Sequence, residues 1–212
     1  MGETRGYRSE LRERQAAQTR ARIIEAAAEL FAEFGYAATT LAKIAERAGV
    51  SLETVRNHSP KMSLLKAALE VTSFGAEGDH DILDLPPWSG LASVAAVADL
   101  PGFAADAVLA TNRGSAGVWN ALMNGAAGDA DLADYRRGLL AAIRGNSERL
   151  VGLAKARGWT RPDRSFDELV ESALVITSVE TYTRIVLHDG WPEKRYATWV
   201  ANAVRDLLLR RS

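Results

Sequence analysis

The chain has 212 residues, 47% of them hydrophobic, which is enough apolar content for one or two packed domains and too much for a disordered chain. It contains no cysteine, which excludes a disulfide framework and a thiolate metal site. The net charge of -1 hides an asymmetry: residues 1–66 hold 11 Lys/Arg against 8 Asp/Glu, and residues 67–212 hold 15 against 19.

The start, Met1-Gly2-Glu3-Thr4-Arg5, has no signal-peptide pattern. The most apolar long window, residues 91–110, is interrupted by Asp99, Pro101, Gly102 and Asp106, so no membrane span is expected and a cytoplasmic location is. Before residue 19 the chain interleaves Arg5, Arg8, Arg12 and Arg14 with Glu3, Glu10 and Glu13, and Arg20 and Arg22 follow. Two readings stay open: a free basic arm that enters a minor groove, or a solvated extension whose arginines add only nonspecific phosphate attraction.

Residues 19–34 carry Ile23, Ala27, Leu30, Phe31 and Phe34 at helical spacing, and Gly35 stands where a helix end takes a left-handed residue. Thr40 can cap a second helix with an apolar face of Leu41, Ile44, Ala45 and Ala48, ended by Gly49. Val50 plugs a tight turn, Ser51 caps a third helix from Leu52 to about His58 with Val55 inward, and Pro60 stops it and primes the next helix at Lys61. A first helix, a small residue at a turn, a capped second helix and an apolar internal face are what a helix-turn-helix needs to place one helix in a DNA major groove.

Beyond that point helical patterns continue. A helix is expected over residues 61–75, a loop over 77–90, and further helices near 91–98, 102–112, 115–124, 131–156, 166–188 and 193–210. The 166–188 segment is apolar around most of its circumference, and the last helix carries Tyr196, Trp199, Val200, Ala203, Val204, Leu207 and Leu208 as a broad stripe. Either both are the core of a large monomer, or Leu174, Val186, Trp199, Val200, Ala203 and Leu207 face a second subunit.

The run from residue 19 to 65 resembles the TetR family of transcriptional regulators. The likeness lies in Ala28-Glu29-Leu30-Phe31, Phe34-Gly35-Tyr36, Ala38-Thr39-Thr40, Ile44-Ala45-Glu46-Arg47-Ala48-Gly49-Val50-Ser51 and Thr54-Val55. The resemblance covers about the first third of the chain. It implies an all-α homodimer with a three-helix DNA-binding head (residues 1–66) and a larger helical ligand-binding and dimerisation domain (residues 67–212). It also implies double-stranded operator DNA as a partner and release by a small-molecule inducer. Two heads related by a two-fold axis meet successive major grooves about 34–36 Å apart, which predicts a near-palindromic operator.

Thr40 and Ser51, caps in their own right, fall where that family touches phosphates, and Lys43 is placed for another backbone contact. Leu52, Glu53, Arg56 and Asn57 are free of the internal face and can reach base edges: Arg56 suits guanine, Asn57 adenine, and Glu53 a cytosine amino group. His58 and Lys61 read as phosphate contacts. The chain departs from the family's Tyr-x-His-Phe pattern with Arg56-Asn57-His58-Ser59, and its step to Lys61 is one residue shorter. Met62 or Leu64 is expected to fill the space of the missing phenylalanine.

For an effector site the sequence offers Phe103, Asn112, Trp119, Asn120, Met123 and Tyr135, with Thr177, Glu180, Thr181, Tyr182 and Arg184 from a later helix, each of which also reads as core or interface. The enzyme reading finds no support: Asp79-His80-Asp81 has no spaced metal-binding partner, and no Gly-rich phosphate loop or nucleophile elbow is present. No cofactor or metal is implied. A rival to the regulator is a helical protein-interaction adaptor whose head has lost specific DNA binding.

Overall fold

The computed structural model describes residues 3–78 and 80–210, with side chains from residue 10 onward except residue 11. Among the described residues the architecture is all-α. Helix α1 (Glu3–Ala38) reaches much further toward the N-terminus than its apolar pattern does, and residues 12–18 lie exposed along it. The arm is thus a helical extension; the side chains of Arg5 and Arg8 lie outside the described residues. One residue interrupts it: Gly35, at φ 75° and ψ 175°, a conformation that side chains with a Cβ avoid.

Helices α2 (Leu41–Ala48) and α3 (Leu52–His58) form as the caps require. Thr40 Oγ1 accepts from the Lys43 amide, Ser51 Oγ from the Thr54 amide, and Gly49 closes α2 at φ 64°. Helix α4 (Lys61–Phe74) follows Pro60 and ends at Gly75. A boundary at residue 66 therefore falls inside α4.

The following strap, residues 76–99, contains two 3-10 turns, Ile82–Asp84 and Ser89–Ser93, where the sequence predicts a loop and then a helix over 91–98. That second helix does not form. Arg157 reaches instead to the Ala92 and Val94 carbonyls, each at 3.4 Å, and Trp88 buries its ring, its Nε1 donating to Thr111 Oγ1 at 3.3 Å.

Helix α5 (Leu100–Gly125) is continuous where two helices are expected. Gly114 does not break it; it lets α5 approach α4 so closely that a Cβ would stand 2.1 Å from the Thr72 carbonyl oxygen. Gly117 does the same against α1, where a Cβ would lie 2.4 Å from Ala32 Cβ. Helices α6 (Ala130–Ala156) and α9 (Glu193–Leu208) match their expected spans closely, and α7 (Phe166–Thr177) starts where expected.

The segment expected as one helix over 166–188 is broken at Ser178 (φ -65°, ψ 148°), whose hydroxyl caps α8 (Val179–Tyr182) by accepting from the Thr181 amide at 3.1 Å. Helix α8 runs on as a π-helical stretch, Thr183–His188. The carbonyls of Thr177 and Ser178, which the break frees, both accept from Asn112 Nδ2 at 3.1 and 3.2 Å. A cap on one helix and an amide on another thus make the break affordable.

The head has no private core. Ile23, Phe31, Ile44, Val55, Leu64 and Leu65 pack in one cluster with Val118, Trp119 and Leu122 of α5 and Leu132 of α6. A second cluster holds α5, α8 and α9 around Tyr196.

Candidate DNA interface and effector cavity

At the head, α3 presents Glu53, Arg56 and Asn57 to solvent, while Leu52 is half-buried against the core and His58 is half-buried. Val55 is fully buried and locks the helix in place. Leu52 therefore spends much of its surface on packing, and the side chains free for base edges are Glu53, Arg56 and Asn57. Thr40 and Ser51 are exposed caps. Lys43 Nζ donates to the Ala38 carbonyl at 3.0 Å and lies 5.2 Å from the Phe34 ring centre. Lys61 Nζ lies 4.1 Å over the Tyr36 ring, and burial lowers its pKa, opposed by the charge of Asp129. Both ammonium groups are held at the C-terminal end of α1. Leu64 is fully buried in the core and Met62 stays at the surface.

Arg20 and Arg22 are braces, not free phosphate ligands. Arg20 pairs with Glu77, Nε at 2.8 Å from Oε2, and donates to Ser59 Oγ at 3.3 Å. Arg22 Nε donates to the Ala48 carbonyl at 3.2 Å and Nη2 to the Gly49 carbonyl at 3.1 Å, so it clamps the C-terminus of α2 at the turn. Arg47 ties α2 to α1 through Glu29 at 2.7 Å.

Residues 23–58 match the family model described as bacterial regulatory proteins, tetR family. The N-terminal head is a tetR-family DNA-binding domain. Proteins of this family regulate transcription, so the head serves to bind DNA and not to catalyse a reaction. Comparison with curated protein sequences gives no match. Solved structures share the fold over about nine-tenths of the chain. A candidate transcriptional regulator from Saccharomonospora viridis, solved in complex with choline, is 17% identical, with a TM-score of 0.69 over 92% of this chain and 100% of that one. NalD, the secondary repressor of the MexAB-OprM multidrug efflux pump in Pseudomonas aeruginosa, is 17% identical, with a TM-score of 0.67 over 92% and 100%. TylP, a tetR regulator from Streptomyces fradiae, is 20% identical, with a TM-score of 0.60 over 92% and 88%.

Behind the tetR head, α4 to α9 and the strap line a cavity of about 820 Å³ that is partly open to solvent. Of the residues expected at an effector site, Phe103, Asn112, Trp119, Tyr135, Thr177, Glu180 and Thr181 line it. Asn120 and Met123 do not: Asn120 is half-buried elsewhere on α5, and Met123 packs against the core shared with the head. Tyr182 is buried between α8 and α9, its ring edge-on to Tyr196 and its hydroxyl donating to Glu193 at 3.1 Å, and Arg184 pairs with Asp189 at 3.0 Å. Leu174, expected at a subunit interface, lines the cavity, and Val200, expected beside it, is fully buried inside the chain. Val186, Trp199 and Ala203 are half-buried and Leu207 is exposed.

Sequence reasoning missed the strap's contribution of Ile82, Trp88 and Leu91 and that of α4, namely Leu69, Glu70, Ser73 and Phe74. Tyr135 was found; its phenol is pushed up to about 12 by burial, with the Glu70 carboxylate adding to the shift. Asp79 of the Asp79-His80-Asp81 run lies outside the described residues, and Asp81 is paired with Arg149 at 2.6 Å. Among the described residues no helix is long and apolar enough to cross a membrane.

Proposed function

We propose that this chain is a ligand-responsive repressor that binds a near-palindromic operator as a homodimer and leaves it when a small molecule fills the cavity. The observation that carries this reading is the span of α4. Its first residue, Lys61, stands at the DNA-facing end of the head, and its last turns supply Leu69, Glu70, Ser73 and Phe74 to the cavity wall. A ligand that displaces that wall moves the end of the helix that holds Lys61, because a helix transmits a shift along its axis as a rigid element. NalD, of the same fold, is a repressor, and the Saccharomonospora viridis protein holds choline, a small organic molecule.

This reading puts the second subunit against α8, its π-helical continuation and α9; it is supported by Val186, Trp199, Ala203 and Leu207, which remain at least partly uncovered. Trp199, Ala203 and Leu207 recur every four residues and form one stripe on α9.

A gel-shift on the DNA flanking the chain's own gene tests the reading. The expected result is a discrete, dimer-sized complex that survives competitor DNA and dissolves on addition of a cavity ligand. Absence of any complex at low salt, with folded dimer present, would replace this reading by the protein-interaction adaptor.

A further inference from the structure

We propose that the cavity accepts an organic cation, a protonated amine or quaternary ammonium group carried on an apolar body. The proposal rests on the reading of this cavity as the effector site. Charge on the wall comes from Glu70, Glu180 and Arg144. Arg144 is already matched: Nη1 donates to Glu171 at 2.6 Å, and Nε lies 3.5 Å from Glu148. Glu70 accepts from the Gly78 amide at 3.0 Å and lies 3.8 Å from Lys66 Nζ.

Glu180 differs from both. Among the described residues it accepts only the indole N–H of Trp119, at 3.0 Å, and no Lys or Arg pairs with it. That hydrogen bond points Oε1 at a buried ring and leaves the second oxygen without a protein donor. The remaining wall is largely aliphatic and aromatic, with Phe74, Trp88, Phe103, Trp119 and Tyr135 contributing rings. Ring faces attract cations, and Glu180, a solvent-exposed residue of the same wall, adds an unpaired negative charge beside them. A carboxylate ligand would meet repulsion from Glu180.

The test is calorimetric titration of the full chain with dodecyltrimethylammonium and, separately, dodecanoate, both below their micelle concentrations. The cation is expected to bind at least about tenfold more tightly than the anion, because Glu180 attracts the one and repels the other. Glu180→Gln should erase that gap without weakening dodecanoate, and Glu180→Asp, which keeps the charge, should restore most of it. Glu180 is exposed, so neither variant threatens the fold, and circular dichroism checks this. Dodecanoate binding as tightly as the cation, or cation affinity in Glu180→Gln within about twofold of the original, would overturn the proposal. Gel-shifts separate it from the broader reading. Dodecanoate that binds and strips DNA sinks the cation assignment and keeps the regulator. Glu180-dependent cation binding with no effect on DNA upholds the assignment and sinks ligand release.

Discussion

At the scale of single residues, side chains that read as DNA ligands divide into those left free at the surface and those that hold the reader in shape. Arg22 belongs to the second group, since its guanidinium caps the end of α2 and spans the turn through Ala48 and Gly49. Arg22→Ala should therefore cost about 1–2 kcal/mol, the low end for a charged donor because Arg22 is exposed, seen as a lower melting temperature. It should also weaken DNA binding without altering base preference. Lys61 and Asn57 test the first group. Lys61→Ala should weaken binding to all sequences and lower the salt slope by about one, whereas Asn57→Ala should change preference at one base by about 1–3 kcal/mol. Uniform scaling by both in binding assays over salt and operator variants would remove Asn57 from base readout. The caps Thr40, Ser51 and Gly49 were legible in sequence because each acts within three or four residues. The bracing roles of Arg20 and Arg22 were not, because their partners lie 26 to 57 residues away.

At the scale of elements, the misreadings share one cause: glycine and apolar runs mean different things depending on what they pack against. Gly114 looks like a break and is a contact; the unbroken apolar run over 166–188 looks like one helix and is two. The local signal for the second was present, since Ser178 precedes Val179-Glu180-Thr181 as a helix cap with an acid in the first turn. What sequence could not supply was Asn112, 65 residues earlier, which satisfies the carbonyls that the break exposes. The glycines give a paired prediction. Gly114→Ala forces α4 and α5 apart and should destabilise by about 1–3 kcal/mol or more, with ligand and DNA binding both disturbed because α4 serves both sites. Gly145→Ala on α6, where a Cβ meets nothing within 4 Å, should stabilise by up to about 1 kcal/mol from helix propensity alone. Thermal melts of the two variants should move in opposite directions.

At the scale of the whole molecule, the shared core means that head and body cannot be treated as separate modules. Val118, Trp119 and Leu122 of α5 fill the same cluster as Ile23, Phe31 and Val55, so residues 1–66 alone would leave that surface bare. A fragment ending at residue 66 should show weak helicity and no cooperative melt, and the full chain should unfold in one transition by fluorescence and circular dichroism alike. Oligomeric state follows from what the core leaves uncovered. Leu187 and Leu207 are 53% and 47% exposed on the last helical segments, a cost that the proposed second subunit would remove. Neither residue supports the chain's own core, so charging both, as Leu187→Glu with Leu207→Glu, should leave the melting temperature of the monomer nearly unchanged. Light scattering should then drop from the mass of a dimer to the 22.9 kDa of one chain. Operator affinity should fall steeply, because two heads on one body bind two half-sites with an effective concentration that separate heads lack. A variant that remains dimeric, or a monomer that binds the full operator as tightly as before, would place the interface elsewhere and detach DNA binding from the two-fold arrangement.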